Sequence, residues 1–204
     1  MGHATAVAQF ALPSPGVHVS YVDAVEEFQL EGRLTDLDPK LLRGSGAFRE
    51  YLVAIHPRED PAIAGAQGRV SETTLWWVDA EVFLGELQIR HRLTDALRLV
   101  GGHIGYAVRP AVRRCGHATA MLAAALPRTA LLGIDPALIT CDITNDASRR
   151  VIEANGGALF DEDDSMLRFW VPTNTGAGPS LAVTADEQVL HALGDERSEK
   201  AGEA

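Results

Sequence analysis

The stretch Val108-Arg109-Pro110-Ala111-Val112-Arg113-Arg114-Cys115-Gly116-His117-Ala118-Thr119 decides how this chain reads. Before it stands His103-Ile104-Gly105-Tyr106-Ala107, an extended run behind the glycine pair Gly101 and Gly102. After it, apolar residues recur at helical spacing as far as Leu132. A strand over 103–109 therefore passes through a short loop into a helix over about 114–132. The first turn of a helix leaves backbone N–H groups without intrahelical partners, and its aligned peptide dipoles place roughly half a positive charge there. A phosphate settles at such a start when it can approach the backbone closely, and Gly116 and the small Ala118 permit that approach.

Working outward, residues 137–143 read as a further strand, and 146–154 as a helix stopped by Asn155, Gly156 and Gly157. Short strands at 158–160 and 166–171 flank an acidic turn at 161–164. Upstream, 73–80 is rich in β-branched and aromatic residues and 82–89 alternates, which predicts a hairpin turning near Asp79 and Ala80. Residues 26–55 mix helical spacing with breaks at Pro39, Gly44 and Gly46, predicting two short helices that end before Pro57 and Pro61. The division that follows is an N-terminal arm over 1–20, a folded domain over 21–172, and a linker with an acidic tail over 173–204. In the tail, Thr184 and Glu187 form a capping-box pattern ahead of Val189, Leu190 and Leu193.

Composition narrows the function. With 18 Lys and Arg against 28 Asp and Glu, the net charge of −10 argues against a general nucleic-acid binder, which needs a basic surface, and tilts expectation toward a cationic partner. At 204 residues, one substantial core is expected. Cys115 and Cys141 show no metal-ligand spacing and are too few for a disulfide framework, so no metal is expected and reduced thiols in the cytoplasm are the default. Neither a signal peptide nor a run near the ~20 apolar residues of a membrane span is visible. No Gly-Lys-Ser/Thr or Gly-x-Gly-x-x-Gly pattern follows a strand, which disfavours other nucleotide-binding families.

The central loop resembles the GNAT superfamily of N-acetyltransferases, whose signature of Arg or Gln, two residues, Gly, one residue, then Gly or Ala is matched by Arg113, Gly116 and Ala118. The run His103-Ile104-Gly105-Tyr106 resembles that family's central strand. Asn145-Asp146-Ala147-Ser148 and Ile152-Glu153-Ala154-Asn155-Gly156-Gly157 resemble its following strand-to-helix segment. The resemblance implies an α/β fold: a mixed, mostly antiparallel sheet of six to seven strands, flanked by helices and splayed between two central parallel strands, 103–109 and 137–143. It implies acetyl-CoA as co-substrate and an amine acceptor, while the charge and the short apolar runs point to no nucleic acid and no membrane as partner. Pantetheine would pair with the backbone of Ala107 and Val108 in the manner of an added strand. The pyrophosphate would meet Arg113, Arg114, Cys115, Gly116, His117, Ala118 and Thr119. Asn145 and Ser148 are further cofactor candidates, with Asn145 equally suited to cap the helix it precedes. Quaternary structure stays open, with a homodimer, the commonest soluble assembly, as the reference case.

The chemistry implied is direct attack of a neutral amine on the thioester. His103 is the first candidate base, with a sheet-edge structural histidine as the even alternative; Glu86 is the second and Glu72 the third. Family members often carry a tyrosine where this chain has Ile152, so the usual proton donor to the departing thiolate is missing and Tyr106 is the substitute. The N–H of Val108 would polarise the thioester carbonyl. Trp76 and Trp77 point to opposite faces of a strand, one toward the core and the other toward an acceptor pocket. The competing reading is a non-catalytic acyl-CoA sensor or partner-binding module on the same fold.

Overall fold

The structure is a computed structural model that describes residues 8–174. Its strands are β1 (Gln9–Ala11), β2 (Glu72–Asp79), β3 (Val82–Arg90), β4 (Ile104–Val108), β5 (Ala137–Asp142), β6 (Ala158–Glu162) and β7 (Met166–Val171). Its helices are α1 (His18–Gln29), α2 (Pro39–Leu42), α3 (Ser45–Ile55), α4 (Pro61–Ala66), α5 (Asp95–Leu99), α6 (His117–Leu131) and α7 (Asp146–Ala154). The strands form two antiparallel sheets, ordered β1-β2-β3-β4 and β5-β7-β6. The expected splay is the seam between them, at β4 and β5.

Two cores sandwich the larger sheet. On one face, Leu75, Trp77, Leu84, Leu87, Ile89 and Ile104 pack against Met121, Leu122, Ala125 and Leu126 of α6. On the other, Trp76, Phe83 and Ala107 meet Tyr21, Val22, Val25 and Phe28 of α1 and Phe48 and Leu52 of α3. Trp76 and Trp77 thus face opposite ways, as alternation requires, but they are only 1% and 6% exposed. Both are core, and neither lines an acceptor pocket. Trp76 stacks on Tyr21 with ring centroids 4.5 Å apart.

The N-terminal segment differs from its reading as an arm. Gln9–Ala11 pairs with Val78, Trp77 and Trp76 as an edge strand, and Val17, Tyr21 and Val22 are buried. Three residues of strand are too few for a periodicity signal, and α1 begins with β-branched residues that mask its helical pattern. The short α4 and α5 also escaped the sequence, although Asp60 and Thr94 cap them through side-chain oxygens. Thr173, placed in the linker by the sequence, is instead buried and donates to Ile134 O at 2.7 Å, while residues 175–204, with their capping box, lie outside the described residues. Among the described residues, no helix is long and apolar enough to cross a membrane, and no group of His, Cys, Asp and Glu has the makings of a metal site.

Candidate active site

The loop leaving β4 makes a 3-10 turn at Pro110–Val112 and runs extended through Arg113. It then enters left-handed backbone at Arg114 (φ 65°) and again at Gly116 (φ 83°). Gly116 is the N-cap of α6, and no side chain caps it. The first bond to close is Ala120 N–H to Gly116 O at 3.1 Å, so the N–H groups of His117, Ala118 and Thr119 have no intrahelical acceptor. Arg114, Cys115 and Gly116 are solvent-exposed, and a Cβ on Gly116 would meet nothing within 4 Å. The result is an open cluster of backbone donors at the positive end of a helix, at the loop where the sequence leads one to expect a phosphate.

The signature arginine does not point into this cluster. Arg113 Nη1 and Nη2 donate to the two carboxylate oxygens of Glu31 at 2.6 and 2.7 Å, and its Nε donates to Val108 O at 3.2 Å. Arg109 Nε and Nη2 donate to Glu27 Oε1 at 2.9 and 2.7 Å, and its Nη1 donates to Ser20 Oγ at 2.9 Å. The other oxygen of Glu27 accepts the N–H of Ala111 at 3.0 Å. Ser20 and Glu27 lie two turns apart on one face of α1, and Glu31 follows just past its end, so a single helix edge braces the loop at three places. Burial pushes the Glu27 carboxyl upward, but the Arg109 bonds, the Ala111 N–H and the Arg109 charge outweigh it and hold the group below its ordinary value. Glu31 is likewise held low, first by its bond to Arg113. No local pattern in the sequence marks these carboxylates.

The register of β3 and β4 decides which backbone groups face the seam. Arg90 N–H donates to His103 O and Arg109 N–H to Leu84 O. With Glu86 opposite Ala107, the alternation of an antiparallel ladder directs the backbone groups of Gly105 and Ala107 toward β3. Those of Ile104, Tyr106 and Val108 face β5. Ala107, expected with Val108 to pair with pantetheine, therefore has its groups committed to the sheet, whereas those of Tyr106 are directed at the seam. The seam is closed only at its start, where His103 N–H donates to Leu138 O at 2.7 Å and Leu138 N–H to His103 Nδ1 at 2.9 Å. Gly102 makes this approach possible: its φ is +62°, and a Cβ there would lie 2.4 Å from Leu138 O.

His103 is thus a clamp between the sheets. Its acceptor nitrogen is occupied, and burial, aided by the charge of Arg98, lowers its pKa. It sits roughly 16 Å along the strand from Val108. Tyr106, by contrast, crosses the open part of the seam: its hydroxyl lies 2.9 Å from Ser148 Oγ on α7. Burial raises the phenol to about 12. Asn145 caps α7, accepting Ser148 N–H at 3.0 Å, and so orients the serine that holds the tyrosine. Ile152 fills the core completely buried, and Cys141 is buried beside Ser148 with its thiol pushed up by desolvation. His117 turns inward, where its Nδ1 accepts from Trp77 Nε1 at 3.4 Å. Glu86 stands cross-strand from Ala107 and Trp76, on the face opposite Tyr106. Glu72 lies farther along that face, opposite Arg90.

The open edge of β4 thus runs into the uncapped start of α6, leaving backbone donors in one line. Residues 34–158, more than half of the chain, match the family model described as an acetyltransferase (GNAT) domain. The chain belongs to the GNAT acetyltransferase family. No curated protein sequence matches it. Among solved structures, it is similar to a ribosomal-protein-S5-alanine acetyltransferase from Vibrio fischeri (TM-score 0.56, 10% identity, covering 84% of this chain and 96% of that one). It is also similar to RimJ from Mycobacterium smegmatis, solved in complex with CoA-disulfide (0.55, 18%, 92% and 90%). A third likeness is to yncA from Salmonella typhimurium, solved with its cofactor acetyl-CoA (0.53, 13%, 86% and 98%). At these identities the likeness is one of fold.

Proposed function

We propose that this protein transfers the acetyl group of acetyl-CoA to an amine by direct attack. The observation that carries the reading is the continuity of the open edge of β4 with the uncapped start of α6, which offers backbone partners for pantetheine and pyrophosphate in one line. The similar structures solved with acetyl-CoA and CoA-disulfide support the choice of donor. The N–H groups of residues 114–119 hold the pyrophosphate. Tyr106 and Val108 offer N–H groups to the pantetheine amides and the thioester carbonyl, while the Val108 carbonyl is already taken by Arg113. The amine approaches from the α1 face, where Glu86 receives its proton directly or through water. The sulfur leaves on the α7 face, toward the Tyr106 hydroxyl.

A phenol at about 12 would give its proton to a thiolate of ordinary pKa near 8.5 only steeply uphill, so Tyr106 serves as a neutral hydrogen-bond donor. Tyr106→Phe is expected to lower kcat about tenfold, the worth of one hydrogen bond to a developing charge, with acetyl-CoA affinity little changed. Because the folded-state pKa is raised, the hydroxyl stays protonated throughout the accessible range. A pH–rate profile of the unsubstituted enzyme therefore has no basic limb from this group below about pH 10; a limb there that disappears in Tyr106→Phe overturns the assignment.

The test of the function itself is calorimetry with acetyl-CoA followed by thiol release with a panel of amines. Micromolar binding with amine-dependent CoA release supports the enzyme. Binding without release by any amine supports the acyl-CoA sensor, and absence of binding removes both.

A further inference from the structure

The face of the larger sheet that carries Glu86 continues into a cleft of about 430 Å³ whose walls include Arg69, Glu72, Gln88, Arg90 and Thr94. Glu86, Gln88 and Arg90 are alternate residues of β3 and share one side of the sheet. Gly105 lies beneath two of these side chains: a Cβ there would lie 3.6 Å from Arg90 Nη1 and Nη2 and 3.6 Å from Gln88 Oε1. Arg90 is held in this pose by Nη1, which donates to Gly101 O at 3.1 Å and to Gly102 O at 3.2 Å. Its Nη2 and Nε have no hydrogen-bond partner, and no carboxylate lies within ion-pair distance of it, among the described residues. A planar guanidinium fixed at one nitrogen and open at its other donors suits bidentate recognition of an oxyanion.

Resting on the acetyl-transfer reading above, we infer that this cleft is the acceptor site and that the acceptor is an amino carboxylate, its amine presented near Glu86 and Ala107 and its carboxylate held by Arg90, with Arg69 at the rim. Two observations set the class. Two guanidinium groups against the single carboxylate of Glu72 leave one excess positive charge on the cleft wall, which matches a monoanion better than a phosphate dianion. Arg90 lies over Gly105, two residues before Ala107 on β4, so amine and carboxylate stand roughly 7 Å apart, the span of an extended dipeptide. The site therefore selects against the polycationic acceptors that the net charge of −10 suggests, because charge at the cleft outweighs exposed carboxylates beyond a Debye length of about 8 Å.

The experiment compares glycylglycine with glycylglycinamide as acceptors at saturating acetyl-CoA, in the unsubstituted protein, in Arg90→Gln and in Arg69→Gln. In parallel, calorimetry measures direct binding of both dipeptides. Glycylglycine is expected to have a kcat/KM at least about tenfold higher, carried by KM, the effect of one charge-assisted bidentate contact. Arg90→Gln collapses this ratio toward one and Arg69→Gln reduces it in part, with acetyl-CoA affinity and melting temperature as controls for the fold. Equal kcat/KM for the two dipeptides in the unsubstituted protein overturns the inference, as does an unchanged ratio in Arg90→Gln. So does a preference for 2-aminoethyl phosphate over glycylglycine. If no amine releases CoA, the acetyl-transfer reading fails on its own, and the binding arm decides this one: carboxylate-dependent binding lost in Arg90→Gln sustains the oxyanion site, and equal binding of the two dipeptides ends it.

Discussion

Replacing Gly116 with leucine is expected to weaken acetyl-CoA binding at least about a hundredfold while costing only a few degrees of melting temperature. The backbone there has φ 83°, a region in which a side chain costs about 1–2 kcal/mol, so some loss of stability is unavoidable. That loss is small because a Cβ meets no protein atom within 4 Å. The space it enters is where a pyrophosphate must come to reach the N–H groups of residues 114–119. Losing two charge-assisted hydrogen bonds of about 1.5–3 kcal/mol each accounts for the hundredfold. Gly116→Ala, with the same strain and far less bulk, is expected to fall between. Calorimetry with acetyl-CoA, beside thermal melts, makes the measurement, and affinity unchanged in the leucine variant would place the pyrophosphate elsewhere.

The second large effect is expected at Glu27, a residue that touches no cofactor in the reading above. Glu27→Ala removes both bonds from Arg109 and the acceptor of the Ala111 N–H. The pair is 14% and 24% exposed, between the surface and buried cases, and the guanidinium is left half-buried with Ser20 alone. A loss of roughly 2 kcal/mol follows from those limits, or about 4–8 °C in a chain of this size. Because the freed segment leads into the uncapped start of α6, acetyl-CoA affinity should fall about tenfold as well, since near-attack placement depends on positions held to a fraction of an ångström. Glu31→Gln, at an exposed pair, serves as the comparison and should change either quantity far less. Equal effects of the two substitutions on cofactor affinity would contradict the brace.

The sequence was legible wherever the pattern is local. The helix from His117 to Leu131, the strand before it and the hairpin with its turn at Ala80 follow from periodicity and turn chemistry within a dozen residues. The backbone of the candidate site was legible too: the sequence places a helix start at Gly116, and the structure has Gly116 as the N-cap of that helix in left-handed backbone. The roles of side chains were harder to read. His103, which looks like a base because it begins the central strand, spends its acceptor nitrogen on Leu138, a partner 35 residues away. Ala107 and Val108 are neighbours in sequence, yet the register sends their backbone groups to opposite sides, and only a pairing partner fixes register.

What the sequence by itself determined, then, is the α/β class, the helix start at Gly116 and the family, because helix starts, glycine positions and alternation are properties of short stretches of chain. Tertiary structure alone decided that Arg113 and Arg109 brace the loop against Glu31, Glu27 and Ser20, residues 82 to 89 positions away, and that Tyr106 spans the seam to Ser148. It also decided that Arg90 lies open over Gly105. The physical reason is that an ion pair or a shared face depends on distance in space, and with 18 basic and 28 acidic residues to choose from, nothing in one dimension says which of them meet.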